Sequence, residues 1–228
     1  MIVREKPDSY LLVRQYDHSL LSGEFAWHLS ERPQPIEPAL LAIREHDVGW
    51  QMLDQTVRWD GETGEPYSFT SYPIEPKLRA YEEGLDLLEA RSPYAACLCS
   101  MHYGGLAGDS GAEVRFKESE AGRRRRIESK MTEEEKENLE RNLQLLRLCD
   151  DLSLFVCLNE PGRNDHPWYR DGIGYREITL KPTWKDCRTL EFDPNPFSEP
   201  FGLAVPYTLI GTDGQDLGTS HLRLWVTC

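Results

Sequence analysis

An apolar run that ends Ile43-Arg44-Glu45-His46-Asp47-Val48-Gly49-Trp50 sets an imidazole beside a carboxylate where a core is being built. On a helix, His46 shares its face with Ala42, Ile43, Trp50 and Leu53, so it points inward. Asp47 lies on the flank of that face, with Ile43 and Trp50. His18 keeps company with Leu11, Leu21, Phe25 and Leu29, and His102 with Ala95, Leu98, Cys99 and Leu106. Of the two aspartates in "LCDDLSLF", Asp150 falls over Leu143, Leu146 and Cys157, an apolar stripe. Asp151 falls over Glu140, Gln144 and Arg147, a polar one, and reads as an ordinary outward residue. A buried, unpaired carboxylate costs several kcal/mol or shifts its pKa until it is neutral. One His–Asp pair is satisfied by a structural hydrogen bond. Two carboxylates and two or three imidazoles aimed into one core are harder to satisfy pairwise, whereas a divalent transition ion (Mn, Fe, Zn, Co or Ni) accepts them all.

The elements that must position these residues are read from periodicity. Ser9 to about Leu29 reads as a first helix, closed by the Pro-rich turn "ERPQPIEP". A second helix opens at Glu37-Pro38 and runs to about Leu53. Residues 54–75 read as a loop, and 76–90 as a third helix. Ser92-Pro93 caps and starts "YAACLCSMHY", which stops at Gly104-Gly105. The interval 106–130, with the run Arg123 to Arg126, reads as a solvated loop. Thr132 and Glu135 form a capping box for a long helix over 133–159. After Pro161 the helical period disappears, and "REITLK", "CRTLEF", "AVPYTLI" and "SHLRLWV" read as four β-strands.

A chain of 228 residues with 29% charged and 10% aromatic side chains is long and mixed enough to bury a substantial core. A net charge of −13 argues against nucleic acid or an anionic membrane as partner, while leaving a small anionic substrate open to a metal-bearing cleft. "MIVREKPDSY" has no long apolar h-region and no 18 apolar residues run together, so neither a signal peptide nor a membrane span is expected. Cys97, Cys99, Cys149, Cys157, Cys187 and Cys228 form no CxxC pair and read as reduced thiols of a cytoplasmic protein. Nothing in the sequence speaks to oligomeric state.

A His on one helix, a His-Asp doublet on the next and a distant Asp on a late helix resemble the HD-domain superfamily of metal-dependent phosphohydrolases. The matching residues are His18, His46, Asp47 and Asp150, and "LRLCDDLS" resembles the superfamily's late-helix segment. "QYDHSLLSG", "EHDVGW" and "MHYGGL" are similar to an uncharacterised bacterial family distantly related to it. The resemblance implies a mainly α fold: an HD-like helical metal-binding bundle over residues 1–160. A small antiparallel β extension over 161–228 would pack on that body. It also implies that the quartet holds an ion whose bound water attacks a small phosphorylated substrate. For the cationic help phosphoryl charge needs, Arg14, one turn before His18, is the first candidate; Arg163, Arg170 and the Arg123–Arg126 loop follow. Glu24 and Glu45 are candidates for proton transfer.

His102 departs from the pattern. Dinuclear relatives, di-iron oxygenases included, carry two histidines between the doublet and the late Asp, and this chain carries only His102. The alternatives are a mononuclear site with His102 as proton donor or substrate contact, or a second site completed by His166 or His221; His28 is offset from the His18 face. A dinuclear, iron-using oxygenase and a non-catalytic protein that keeps the metal as support remain open readings. There is no P-loop, dinucleotide fingerprint or GxSxG motif. Cys99 and His102 share a face but lack a third orienting group.

Overall fold

A computed structural model describes residues 1–228. The chain opens with a hairpin, β1 (Ile2–Lys6) and β2 (Ser9–Val13), before any helix. α1 (Gln15–His28) and α2 (Ile36–Glu45) follow, then the short α3 (Trp50–Leu53). Beyond an irregular stretch come α4 (Ile74–Arg91), α5 (Pro93–Leu106), α6 (Gly111–Glu128) and α7 (Glu133–Leu158). A 3₁₀ turn at Pro167–Tyr169 leads into β3 (Ile173–Tyr175), β4 (Ile178–Trp184), β5 (Thr189–Asp193), β6 (Phe201–Gly211) and β7 (Asp216–Val226).

The seven strands make one curled, mixed sheet in the order β1-β2-β6-β7-β5-β4-β3, in which β5 and β7 are parallel and all other pairs antiparallel. With 47% helix and 22% strand this is an α/β fold, which overturns the expectation of a mainly α bundle carrying a small β subdomain. Strands from both ends of the chain pair in it: Leu11 of β2 lies opposite Leu209 of β6. The reason the N-terminal strand reads as helix is burial on both faces. Leu11 and Val13 enter the main core, whereas Tyr10 and Leu12 pack with Met1 and Ile210 on the opposite face. A strand apolar on both sides loses its period of two and resembles a helical run. The first helix therefore starts at Gln15, after an extended Arg14.

Two further expectations are corrected. Residues 111–128 are helical, not a loop: Ser110 Oγ accepts from the Glu113 amide, and the Glu113 carboxylate accepts from the Ser110 amide. The apolar stripe of α6 is nearly absent, with Phe116 and Ile127 its buried hydrophobics, which is why periodicity did not reveal it. Ion pairs hold it instead, Arg123 reaching Glu120, Glu89 and Asp86 while Arg126 grips Glu89.

The second helix stops at Glu45, not Leu53, and His46–Gly49 form a turn in which the Trp50 amide donates to the Asp47 carbonyl at 3.0 Å. That turn presses on α4: a Cβ on Gly49 would lie 1.9 Å from the Ala80 carbonyl oxygen, and one on Gly84 2.9 Å from the Gly49 nitrogen. Only glycines allow this approach, which sets where Asp47 points. No helix is long and apolar enough to cross a membrane.

The exit of α1 is tied to α7 and the β3–β4 turn through one carboxylate. Glu31 accepts from Arg141 Nε at 2.7 Å, Tyr175 Oη at 2.7 Å and Arg176 Nη2 at 2.6 Å. Burial opposes its charge, but these hydrogen bonds outweigh it and lower its pKa from 4.5 to about 2. A folded-state pKa below the unfolded one stabilises above the unfolded value, and that contribution is lost as pH falls through the folded one. Glu31→Gln is expected to lower stability at neutral pH by about 1–2 kcal/mol, discounted for partial exposure. In denaturant titrations, its difference from wild type should shrink between about pH 5 and pH 2; a constant difference would contradict the assignment.

Candidate metal centre

Four elements bring five side chains to one point. α1 contributes His18, the turn after α2 His46 and Asp47, α5 His102, and α7 Asp150. His18 Nε2 lies 3.1 Å from Asp150 Oδ1 and 3.6 Å from Asp47 Oδ2. His46 Nε2 lies 3.5 and 3.7 Å from the same two atoms, and His102 Nε2 3.5 Å from Asp150 Oδ2. The His18 and His102 rings stand nearly perpendicular to that of His46, at centroid distances of 5.2 and 5.5 Å. Four of the five are buried, and Asp150 is partly buried, its side chain 14% exposed.

The hydrogen bonds behind these atoms decide which lone pairs face inward. His46 Nδ1 lies 2.9 Å from the Ile43 carbonyl oxygen, which can only accept, so Nδ1 carries the proton. Nε2 of the neutral ring is then a bare lone pair, buried and without a partner, aimed at two carboxylates. Either a proton or a cation must occupy that space. His18 Nδ1 lies 2.6 Å from Ser153 Oγ, whose hydroxyl donates to the Asp150 carbonyl at 2.9 Å. With its proton on that carbonyl, Oγ accepts from Nδ1–H and leaves the Nε2 lone pair inward; Ser22 Oγ lies 2.8 Å away. Asp47 is steadied by Gln15 Nε2, which donates to Oδ2 at 3.0 Å, and by the Tyr103 hydroxyl 3.2 Å from Oδ1, which also donates to the His46 carbonyl.

The electrostatics follow from burial among these charges. Burial disfavours the imidazolium of His46, but Asp47 and Asp150 outweigh it and raise its pKa to about 9. Burial would raise Asp150, yet the imidazoles of His18, His46 and His102 around it hold its carboxyl well below the usual range. Asp47 is shifted up by burial, with His46 and His18 opposing. Burial lowers His102 to about 4 against the pull of Asp150, so its ring is neutral at physiological pH, as a metal ligand must be.

These buried His and Asp groups can hold a metal. Two donor sets, His18–His46–Asp47 and His46–His102–Asp150, each have their ligand atoms within 4.8 Å of one another. Atoms bound to one ion at about 2.0–2.1 Å in tetrahedral geometry stand roughly 3.3 Å apart, close to the separations observed. The two sets share His46.

Arg14 is not brought to this centre. Its guanidinium is engaged by Asp17 at 2.6 and 2.9 Å and is mostly exposed. Glu24 meets Arg44 at the surface, and Glu45 is held by Tyr16 and Arg91. Arg163 pairs with Glu160, and Arg170 bonds the Asp165 carbonyl. In α6, Arg123 and Arg126 serve its ion pairs and Arg124 contacts Ser100. His166 sits beside Trp168, His28 stacks on Phe201, and His221 is exposed on β7. Cys99 faces the Ala42 carbonyl and burial pushes its thiol up, which removes a Cys–His pair. Asp151, expected outward, is partly buried under the Tyr169 hydroxyl at 3.2 Å; burial and the charge of Asp150 raise it to about 7.

Gln15, Ser153, Tyr103 and Lys77 went unrecognised in the sequence. Gln15 lies three residues before His18 and Ser153 three after Asp150, one helical turn in each case, which is the signal that was available. Lys77 is half-buried, bonded to the Phe69 carbonyl at 3.0 Å and 5.9 Å from the Tyr81 ring, which stacks on Tyr103 at 3.8 Å. Its pKa is lowered by burial, with the charges of Asp47 and Glu113 opposing.

Fold and site together define an α/β protein with a His/Asp constellation able to take a metal. A family described as a protein of unknown function, DUF3891, matches residues 1–212, and the chain belongs to it. No curated protein and no solved structure matches the chain.

Because Ser153 sets the tautomer of His18, Ser153→Ala is expected to weaken metal binding about 10–100-fold without changing stoichiometry, as read by calorimetric titration. Unchanged affinity would show that His18 is not oriented this way.

Proposed function

We propose that this chain is a hydrolase of a small phosphorylated molecule, using one divalent ion held by His18, His46, Asp47 and Asp150. The observation that carries the reading is the His46 Nε2 lone pair, buried, unpartnered and facing two carboxylates. The order of the quartet, on which the resemblance to HD-domain phosphohydrolases rests, supports it. When bound, a divalent ion supplies Lewis acidity and lowers the pKa of a coordinated water toward neutrality.

The chain's own residues do the rest. Asp150, the most exposed of the five, marks the side from which substrate arrives. His102, whose Nε2 faces Asp150 Oδ2 at 3.5 Å, is the group to hold a proton exchanged with the substrate. Arg14, held by Asp17, is not the group that meets phosphoryl charge. The sharing of His46 between the two donor sets favours a single ion over the pair an oxygenase would need.

Protein reconstituted with Mn²⁺ should bind about one equivalent and hydrolyse a phosphate monoester such as p-nitrophenyl phosphate. Asp150→Ala should lose both. No binding of any divalent transition ion by wild type would overturn the reading.

A further inference from the structure

Eight buried side-chain polar atoms lack a hydrogen-bond partner in the whole chain, and three of them belong to residues that form or touch this centre: His46 Nε2, His102 Nδ1 and Gln15 Oε1. The first two belong to the imidazoles already described. Gln15 does not, and it is as buried as they are, 4% exposed.

Both ends of Gln15 are pinned. Its backbone amide donates to Asp54 Oδ2 at 2.5 Å, fixing the first turn of α1. Its side-chain nitrogen donates to Asp47 Oδ2 at 3.0 Å, the oxygen that also lies 3.6 and 3.7 Å from His18 and His46 Nε2. Turning the amide over would set Oε1 against that carboxylate, acceptor against acceptor, so the orientation is determined by chemistry. Oε1 is consequently an acceptor fixed about 2.2 Å from Nε2 on the same planar amide. It needs a donor, and no protein group supplies one. Leaving it unsatisfied costs on the order of 1–3 kcal/mol.

We propose that Gln15 is a positioning residue: Oε1 accepts a hydrogen bond from the ion-bound water, while Nε2 holds Asp47 in place. The inference rests on the metal-hydrolase reading and deepens it. A fixed acceptor turns one O–H of the water aside and leaves an oxygen lone pair free for the substrate, pre-orienting the nucleophile. The same amide couples that water to a carboxylate of the ligand set. His18, one turn later on α1, shares this placement, so the helix start aims both the ion and its water.

The test uses the full chain loaded with Mn²⁺, and reads the exchange rate of Mn²⁺-bound water from oxygen relaxation of the solvent. Gln15→Met keeps the shape without donor or acceptor; Gln15→Glu keeps an acceptor and loses the donor to Asp47. Both variants should bind Mn²⁺ with wild-type stoichiometry. Bound water should leave about tenfold faster in Gln15→Met, the loss of about one hydrogen bond, and within about threefold of the wild-type rate in Gln15→Glu. Equal exchange in wild type and Gln15→Met, with Mn²⁺ bound, would overturn the role of Gln15 and leave the metal centre standing. Equally accelerated exchange in both variants would reduce Gln15 to a support for Asp47. Wild type that binds no Mn²⁺ would remove the metal reading and this inference with it.

Discussion

A carboxylate buried among three imidazoles cannot be left to chance. Asp150 lies 3.1 Å from His18 and 3.5 Å from both His46 and His102, with Asp47 a second carboxylate against the first two rings. Something positive has to sit there: a proton on His46, whose pKa is raised to about 9 against the pull of burial, or a metal that displaces that proton. The helical layer is arranged around this requirement. α1, the turn after α2, α5 and α7 each supply part of the cluster, and the contacts behind it, from Ser153, Gln15, Tyr103 and the Ile43 carbonyl, fix which atoms face inward.

The sheet takes part in this placement. β2 lies between β1 and β6 and hands the chain to α1 through Arg14, so His18 is delivered from a strand anchored at both edges. The position of Asp47 depends on the Gly49–Gly84 contact and that of Asp150 on a helix held to the end of α1 by Glu31 and Arg141. These are separate constraints on separate ligands, and the cluster exists where they meet.

Much of the centre was legible in the sequence because inward-facing ionisable residues are rare on apolar stripes. His46 over Ala42 and Ile43, and Asp150 rather than Asp151 over Leu143 and Leu146, stand out by periodicity alone. The capped helices at Ser92 and Thr132 were equally readable. Failures have physical causes. β2 is apolar on both faces and mimics a helix, and α6 is held by Arg–Glu pairs and carries no stripe. Arg14 has the right spacing from His18 but caps the helix in an extended conformation, and its guanidinium folds back onto Asp17. Gln15 and Ser153 are of common polar types whose importance lies in the atoms they face, which spacing alone does not report.

The central claim is that one ion bridges His18, His46, Asp47 and Asp150. Anomalous diffraction from crystals of the protein grown with Mn²⁺ tests it most directly. The account predicts a single strong peak within about 2.0–2.3 Å of His18 Nε2, His46 Nε2 and an oxygen of each aspartate. A peak confined to the surface, or none while the cluster keeps its geometry, would show instead a protonated His–Asp core and contradict the account.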